Sequence, residues 1–195
     1  LVRFAENAKQ SGADRMRFCD TVGVLDPFTT YERVKLIHDE VGIDIEMHTH
    51  NDFGMSTSNS IAGVMAGATY VNTTVNGLGE RAGNAVLEEF AMALKYVFGI
   101  DLGLRTARFR EVCEYVANAS NRPIPTWKPI TGGNLFVYES EGRASGVLRD
   151  PSTYEIFAPG DVGLQRRFVF GKYSGPSVLR QKLRQYGRQI DEDDV

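Results

Sequence analysis

Hydrophobic and polar positions along the first hundred residues switch repeatedly between a helical period and a strand period. Ala5–Ser11 has a helical pattern stopped by Gly12, and Arg15–Cys19 alternates as a strand that ends at Asp20-Thr21-Val22-Gly23. Asp26-Pro27 and Thr29-Thr30 then supply N-cap chemistry for a helix of about a dozen residues reaching Val41-Gly42. Ile43–His50 is the next strand. Ser56 to Ala66 predicts a helix of small residues ended by Gly67-Ala68. Thr69–Val75 is a β-branched strand running into the glycine-rich stretch Asn76–Asn84, and Ala85 to Phe98 is an amphipathic helix stopped by Gly99.

Strands alternating with helices imply βα units on a parallel sheet. The polar chemistry lies in the strand-to-helix loops, while the helix-to-strand joints are short glycine-containing turns, the asymmetry of a TIM barrel whose function gathers at the strand C-termini. Within the strands, Ile43, Ile45 and Met47 take one face, as do Met16 and Phe18, and both sets suit packing under helices. Asp44, Glu46, His48 and His50, with Arg17, Cys19 and Thr21, take the other face, the barrel interior. After Gly99 the cadence changes. Thr106–Asn118 is a helix, Asn121-Arg122-Pro123-Ile124-Pro125 a rigid linker, Gly132-Gly133 a turn, and Pro176 to Tyr186 a final helix. The expected division is a barrel part over 1–100, a helix and linker over 101–130, and a small, mainly helical α+β linker subdomain over 131–195.

Composition narrows the function classes. Hydrophobic residues at 42%, charged residues at 24% and a net charge of −3 fit a globular protein and argue against a general nucleic-acid surface. The basic residues at Arg166-Arg167 and from Arg180 to Arg188 read as a solvated face. Cys19 and Cys113 lack metal or disulfide spacing, which fits a reducing cytoplasm. No apolar run approaches the ~20 residues of a membrane span, so no membrane partner is expected. The chain opens without methionine and closes on Asp191-Glu192-Asp193-Asp194, and we expect a fragment of a longer protein.

Candidate chemistry concentrates in His48-Thr49-His50-Asn51-Asp52-Phe53-Gly54. Residues two apart on a strand share a face at roughly 6–7 Å, so both imidazoles can turn onto one metal ion. His38, alone in a helical pattern, is assigned no function. A catalytic site needs about three protein ligands and an open position, so further ligands must come from elsewhere.

Asp20-Thr21-Val22-Gly23, the His48–Gly54 stretch and Asn76-Gly77-Leu78-Gly79-Glu80-Arg81-Ala82-Gly83-Asn84 resemble, in order and spacing, the last three strands of the homocitrate synthase and 2-isopropylmalate synthase barrels, the Claisen-condensing DRE-TIM metallolyases. The Thr73–Asn84 run, with Leu87-Glu88-Glu89 and Ala93-Leu94-Lys95, looks most like the nitrogen-fixation type of homocitrate synthase. The resemblance extends through Gly146–Pro151, Tyr154-Glu155 and Phe170–Gly175. It implies the last three βα units of a TIM (β/α)8 barrel followed by the linker subdomain. It also implies metal ligands His48, His50 and Asn84 for a divalent ion (Zn, Mg or Mn), and Thr21 on the carboxylate of a 2-oxo acid. Glu80 and Tyr154 are expected as catalytic residues, Glu80 being equally readable as an ion-pair partner of Arg81. The co-substrate implied is acetyl-CoA, and the setting amino-acid biosynthesis or nitrogen fixation.

Two departures stand against the family pattern. The first-strand Arg-Asp motif, whose Asp is a metal ligand, is absent, so the chain is expected to be a piece of a longer protein or to take the first five strands from a second polypeptide, and the expected assembly is a homodimer or a complex with a chain carrying the missing strands. Where the family reads His-Glu-Ser-Gly-Ile-His, this chain reads Tyr138-Glu139-Ser140-Glu141-Gly142-Arg143, and Lys172-Tyr173-Ser174 replaces Lys-His-Ser. A guanidinium stays protonated and cannot act as general base, so Arg143 is expected to bind an anionic substrate or a CoA phosphate instead. The leading expectation is an acyltransferase condensing acetyl-CoA with 2-oxoglutarate to homocitrate. The alternatives are a 2-isopropylmalate synthase, a related Claisen synthase or lyase with another acyl donor, and a non-catalytic or split-enzyme partner subunit.

Overall fold

A computed structural model describes residues 1–188, and the acidic run Asp191–Asp194 lies outside them. The chain divides into two units, Leu1–Leu104 and Arg105–Val195.

The first unit runs α1 (Val2–Gln10), β1 (Arg15–Asp20), α2 (Pro27–Val41), β2 (Asp44–Thr49), α3 (Ser56–Met65), β3 (Tyr70–Val71) and α4 (Leu87–Val97). Its three strands form one parallel sheet in the order β1-β2-β3, the α/β arrangement that the cadence predicts. Helix α2 starts where Asp26 Oδ1 accepts the Phe28 and Thr29 amides at 2.9 Å each, and it stops at Gly42, whose φ of 61° an L side chain rarely adopts. Met16, Phe18, Ile45 and Met47 bury one face of the sheet with Val34 and Ile37 of α2. The other face brings Arg15 and Arg17 onto the Glu46 carboxylate at 3.2 and 2.7 Å, and sets Cys19 beside His48 in register. Charged and ligand-type residues therefore share one side of the pleat, as the alternation predicts.

The third strand is shorter than the predicted Thr69–Val75. Only Tyr70 and Val71 pair with β2, and the Asn72 amide still reaches the Met47 carbonyl at 2.8 Å. Beyond it the chain changes partner: Thr74 bridges Val86, with Thr74 N donating to Ala85 O and Leu87 N to Thr74 O, both at 2.9 Å. Ala85 and Val86, predicted to open the helix, are consequently extended, and α4 begins at Leu87. A parallel bridge closing the glycine stretch on itself has overridden both propensities.

The second unit contains a short 3₁₀ turn (Thr106–Arg108) leading into α5 (Phe109–Ser120), then β4 (Val137–Tyr138), α6 (Glu141–Arg149), β5 (Arg167–Phe168) and α7 (Pro176–Gln185). The α5 helix thus starts three residues later than Thr106, the predicted start. Strands β4 and β5 pair in parallel. Ala144 and Val147 of α6, Val162, Phe168 and Val178 of α7 are buried. The Glu141 carboxylate accepts the Ser177 amide at 3.0 and 3.2 Å and so satisfies an end of α7 that begins with proline. Among the described residues no helix is long and apolar enough to cross a membrane.

Candidate metal and substrate site

The end of β2 delivers both histidines to one place. The His48 and His50 rings lie 5.1 Å apart, centroid to centroid, at an interplanar angle of 83°. His48 Nδ1 is 3.0 Å from Asn72 Oδ1. A carbonyl oxygen only accepts, so Nδ1 is the donor in this contact and Nε2 is the ring nitrogen left for another partner. His50 is buried and pairs antiparallel with Asn84. Its Nδ1 is enclosed with no hydrogen-bond partner, a cost that a bound group would relieve.

Asn84 is also buried, with Nδ2 donating to Thr49 O at 3.3 Å and its amide N to Gly77 O at 3.2 Å. The loop is cinched from the other side by the Asn51 amide donating to Gly83 O at 2.9 Å. At Gly79 a Cβ would overlap Asn84 Oδ1, and at Gly83, where φ is 93°, it would overlap Gly77 O. These two glycines are what let the loop fold back on Asn84. Among the described residues no three His, Cys, Asp or Glu side chains gather to hold a metal, and Asn84, the third ligand that the family resemblance implies, is bridged to His50 through the backbone. Two imidazoles and an amide oxygen, with one buried ring nitrogen unsatisfied, fit a divalent cation.

Around this cluster runs a polar rim. Asp20, buried at the end of β1, accepts the Val24 and Leu25 amides at 3.1 Å each and shapes the first loop. Arg81 Nε and Nη2 reach Asp52 Oδ1 and Oδ2 at 2.9 and 3.0 Å, and Nη2 also donates to Thr21 O at 2.7 Å. That guanidinium holds the Asp52 carboxyl below the usual carboxylate range. Thr21 is exposed at this rim. Glu80 is farther out: its side chain is 77% exposed and its carboxylate is 3.7 Å from Arg81 Nη1.

Arg143 and Tyr154 belong to the second unit. Arg143 is exposed on the first turn of α6, three residues before Gly146 and on the same face. Tyr154 is half-exposed and packs its ring edge where a Cβ at Gly146 would fall, 2.8 Å from Cε2. Next to it Glu155 is buried, accepting Arg166 Nε and Nη2 at 2.8 and 2.6 Å and the Tyr138 hydroxyl at 3.0 Å. The Arg166 bonds hold the Glu155 carboxyl below its usual value. Burial first, then the bond to Glu155, pushes the Tyr138 hydroxyl up to about 12, while Arg143 is close enough to oppose that rise.

The sequence reading missed Asn72, the residue that orients His48. Its signal was an amide in a β-branched run, Tyr70-Val71-Asn72-Thr73-Thr74, where a poor strand former needs a reason. It also missed the clasp made by Arg81, whose partners lie 29 and 60 positions away. His38, expected to have no role, packs its ring against Gly67 and pairs with Asp39.

Comparison with known proteins bears on the same segments. The HMGL-like family model matches residues 1–116, and the model described as homocitrate synthase post-HMGL domain-like matches residues 130–195. The 2-isopropylmalate synthase 2 of Caldanaerobacter subterraneus subsp. tengcongensis is 61% identical over 195 residues, 100% of this chain and 51% of that protein. Homocitrate synthase 1 of a Nostoc species is 55% identical over 195 residues, covering 52% of its own length. The chain spans about half the length of these relatives. Among solved structures, the HMG-CoA lyase of Bacillus subtilis superposes with a TM-score of 0.57 at 19% identity, covering 64% of this chain and 44% of that one.

Proposed function

Because this chain belongs to the HMGL-like family, we propose that it is the metal-holding end of a TIM barrel, its last three βα units, together with the linker subdomain of a Claisen-type synthase that joins acetyl-CoA to a 2-oxo acid. The observation that carries the reading is the His48, His50 and Asn84 cluster at the C-terminal end of a parallel strand, with a buried ring nitrogen lacking a partner. His48, His50 and Asn84 would hold a divalent ion. When bound, that ion supplies Lewis-acid polarisation for a keto oxygen. The remaining ligand and the early strands would come from the rest of a longer chain or from another polypeptide.

The chain's own residues then divide the work. Asn72 fixes the His48 tautomer. Thr21, on the rim of the same site, offers its hydroxyl to the carboxylate of the 2-oxo acid. Arg143 supplies a fixed positive charge for an anionic group such as a CoA phosphate, and cannot take a proton. Tyr154, its ring edge packed at Gly146, offers a hydroxyl for proton transfer at the acetyl group. Glu80 is left outside the chemical steps, since its side chain faces solvent at the rim.

The 2-oxo acid of the leading reading is 2-oxoglutarate, giving homocitrate, as the Thr73–Asn84 resemblance suggests. A second reading, 2-isopropylmalate synthesis, is favoured by the higher identity, 61% against 55%, to a relative of that name. CoA release by the full-length protein, measured with 2-oxoglutarate, 2-oxoisovalerate and pyruvate in parallel, separates the two. Absence of release with every 2-oxo acid refutes the synthase reading.

A further inference from the structure

Arg81 stands at an unusual position for a residue that is only a surface charge. Its φ is 55°, in the left-handed region where an arginine costs about 1–3 kcal/mol and a glycine would be relaxed. Its Nε–Nη2 edge is engaged on both sides. Nε and Nη2 take both oxygens of Asp52, and Nη2 also takes the main-chain carbonyl of Thr21. The three partners sit on three different loops, each following a different strand of the sheet. Thr21 follows β1, Asp52 lies two residues past His50 after β2, and Arg81 itself lies three residues before Asn84 after β3. Gly23 lets Asp52 approach: a Cβ there would stand 2.6 Å from Asp52 Oδ2 at a φ of 69°.

We propose that Arg81 is a positioning residue: its guanidinium clasps the three loops so that Thr21, which would take the substrate carboxylate, is held at a fixed place relative to His48, His50 and Asn84. This deepens the synthase reading above and rests on it for the substrate. A lone exposed ion pair is worth about 0–1 kcal/mol, but a bidentate fork that also binds a main-chain carbonyl is the exception, because it fixes geometry as well as charge. Lysine has one ammonium and no planar fork, so it cannot hold both carboxylate oxygens and the Thr21 carbonyl in this arrangement.

The test uses Arg81→Gly, Arg81→Lys and Asp52→Asn in the full-length protein. Arg81→Gly removes the fork while relaxing the backbone, so a purely structural turn residue would be neutral or improved by it. The clasp instead requires amide hydrogen exchange at Gly23, Val24, Leu25 and Gly54 to rise about tenfold or more, with the β1 and β2 strand amides unchanged. It also requires KM for the 2-oxo acid to rise about tenfold, with KM for acetyl-CoA within about twofold. Arg81→Lys and Asp52→Asn fall between wild type and Arg81→Gly on both measures. Unchanged loop exchange in Arg81→Gly overturns the proposal, as does an unchanged KM for the 2-oxo acid in an active variant. Exchange is read without turnover, so a wild-type protein that condenses nothing refutes the synthase reading while the exchange result still decides the clasp.

Discussion

Gly83→Ala is the most direct probe of how the glycine loop builds the cation site. At φ 93° an alanine is strained by about 1–3 kcal/mol, and its Cβ would overlap the Gly77 carbonyl oxygen. That oxygen accepts the Asn84 amide at 3.2 Å, and Gly83's own carbonyl accepts the Asn51 amide at 2.9 Å. Relieving the overlap means giving up at least one of these bonds, about 1 kcal/mol each. The expected loss is therefore about 2–4 kcal/mol of local stability, concentrated where Gly83 meets Asn51 and Asn84 meets Gly77. If those bonds place Asn84 against His50, affinity for a divalent ion should fall by about 10–100-fold, the range seen when outer-shell partners of metal ligands are removed. Competition against a chromophoric chelator measures affinity, and a thermal melt of the same preparation measures stability. Gly142→Ala is the control: it has open space and no left-handed φ, and alanine suits a helix slightly better there. A Gly83→Ala protein with wild-type metal affinity and wild-type melting would refute the argument.

Asn72→Leu should weaken metal binding by about 10–100-fold while leaving the β2–β3 pairing intact, because it frees the His48 ring without touching a ligand; an unchanged affinity counts against the tautomer argument. Arg143→Gln should raise KM for acetyl-CoA and leave KM for the 2-oxo acid unchanged, read from initial rates with each substrate varied in turn; the opposite pattern would move Arg143 to the keto-acid side. The Tyr138–Glu155 pair should give stability two pH limbs. Glu155, depressed in the fold, stabilises fully above the usual 4.5 and loses that contribution as pH falls below it. Tyr138, raised to about 12 from 10.0, stabilises fully below pH 10 and loses it, about 3 kcal/mol at most, as pH rises towards 12. Tyr138→Phe should abolish the alkaline limb in urea midpoints and keep the acid one; an unchanged alkaline slope would show that the buried hydroxyl is not its origin.

What the sequence made legible was whatever one chain segment decides alone. Period and capping gave the βα alternation, because Asp26, Gly42 and the alternation of Ile45 and Met47 with Glu46 and His48 act within a few residues. The same local logic put His48 and His50 on one face. The stretch from Thr69 to Val86 was misread because its outcome depends on a competition between partners. β-Branched residues favour a strand, but only Tyr70 and Val71 pair with β2, Thr74 alone bridges Val86 across the glycine loop, and Val75 opens a 3₁₀ turn. Asn72 and Arg81 were likewise opaque, since each acts on a residue at least 24 positions away, and nothing in a spacing of one or two residues marks such a pair.

The departures from the family pattern are also easier to understand as a set than one at a time. Tyr138, in place of the first histidine of the linker motif, spends its hydroxyl on Glu155, the neighbour of Tyr154. Arg143, in place of the second, carries its charge close enough to Tyr138 to affect that hydroxyl, and it sits one turn from the glycine on which Tyr154 packs. Tyr173, in place of the third, ties its backbone amide to Glu139, between Tyr138 and α6, and lies under the Lys172 ammonium at 5.6 Å. Tyr138 and Arg143 thus bear on the turn that carries Tyr154, and Tyr173 on the junction of β4 and α6. A single histidine lost from an otherwise unchanged frame would argue for a dead site. Here Tyr138 instead joins a Tyr138–Glu155–Arg166 network that Arg143 approaches, and half-exposed Tyr154 is retained beside it in the chain.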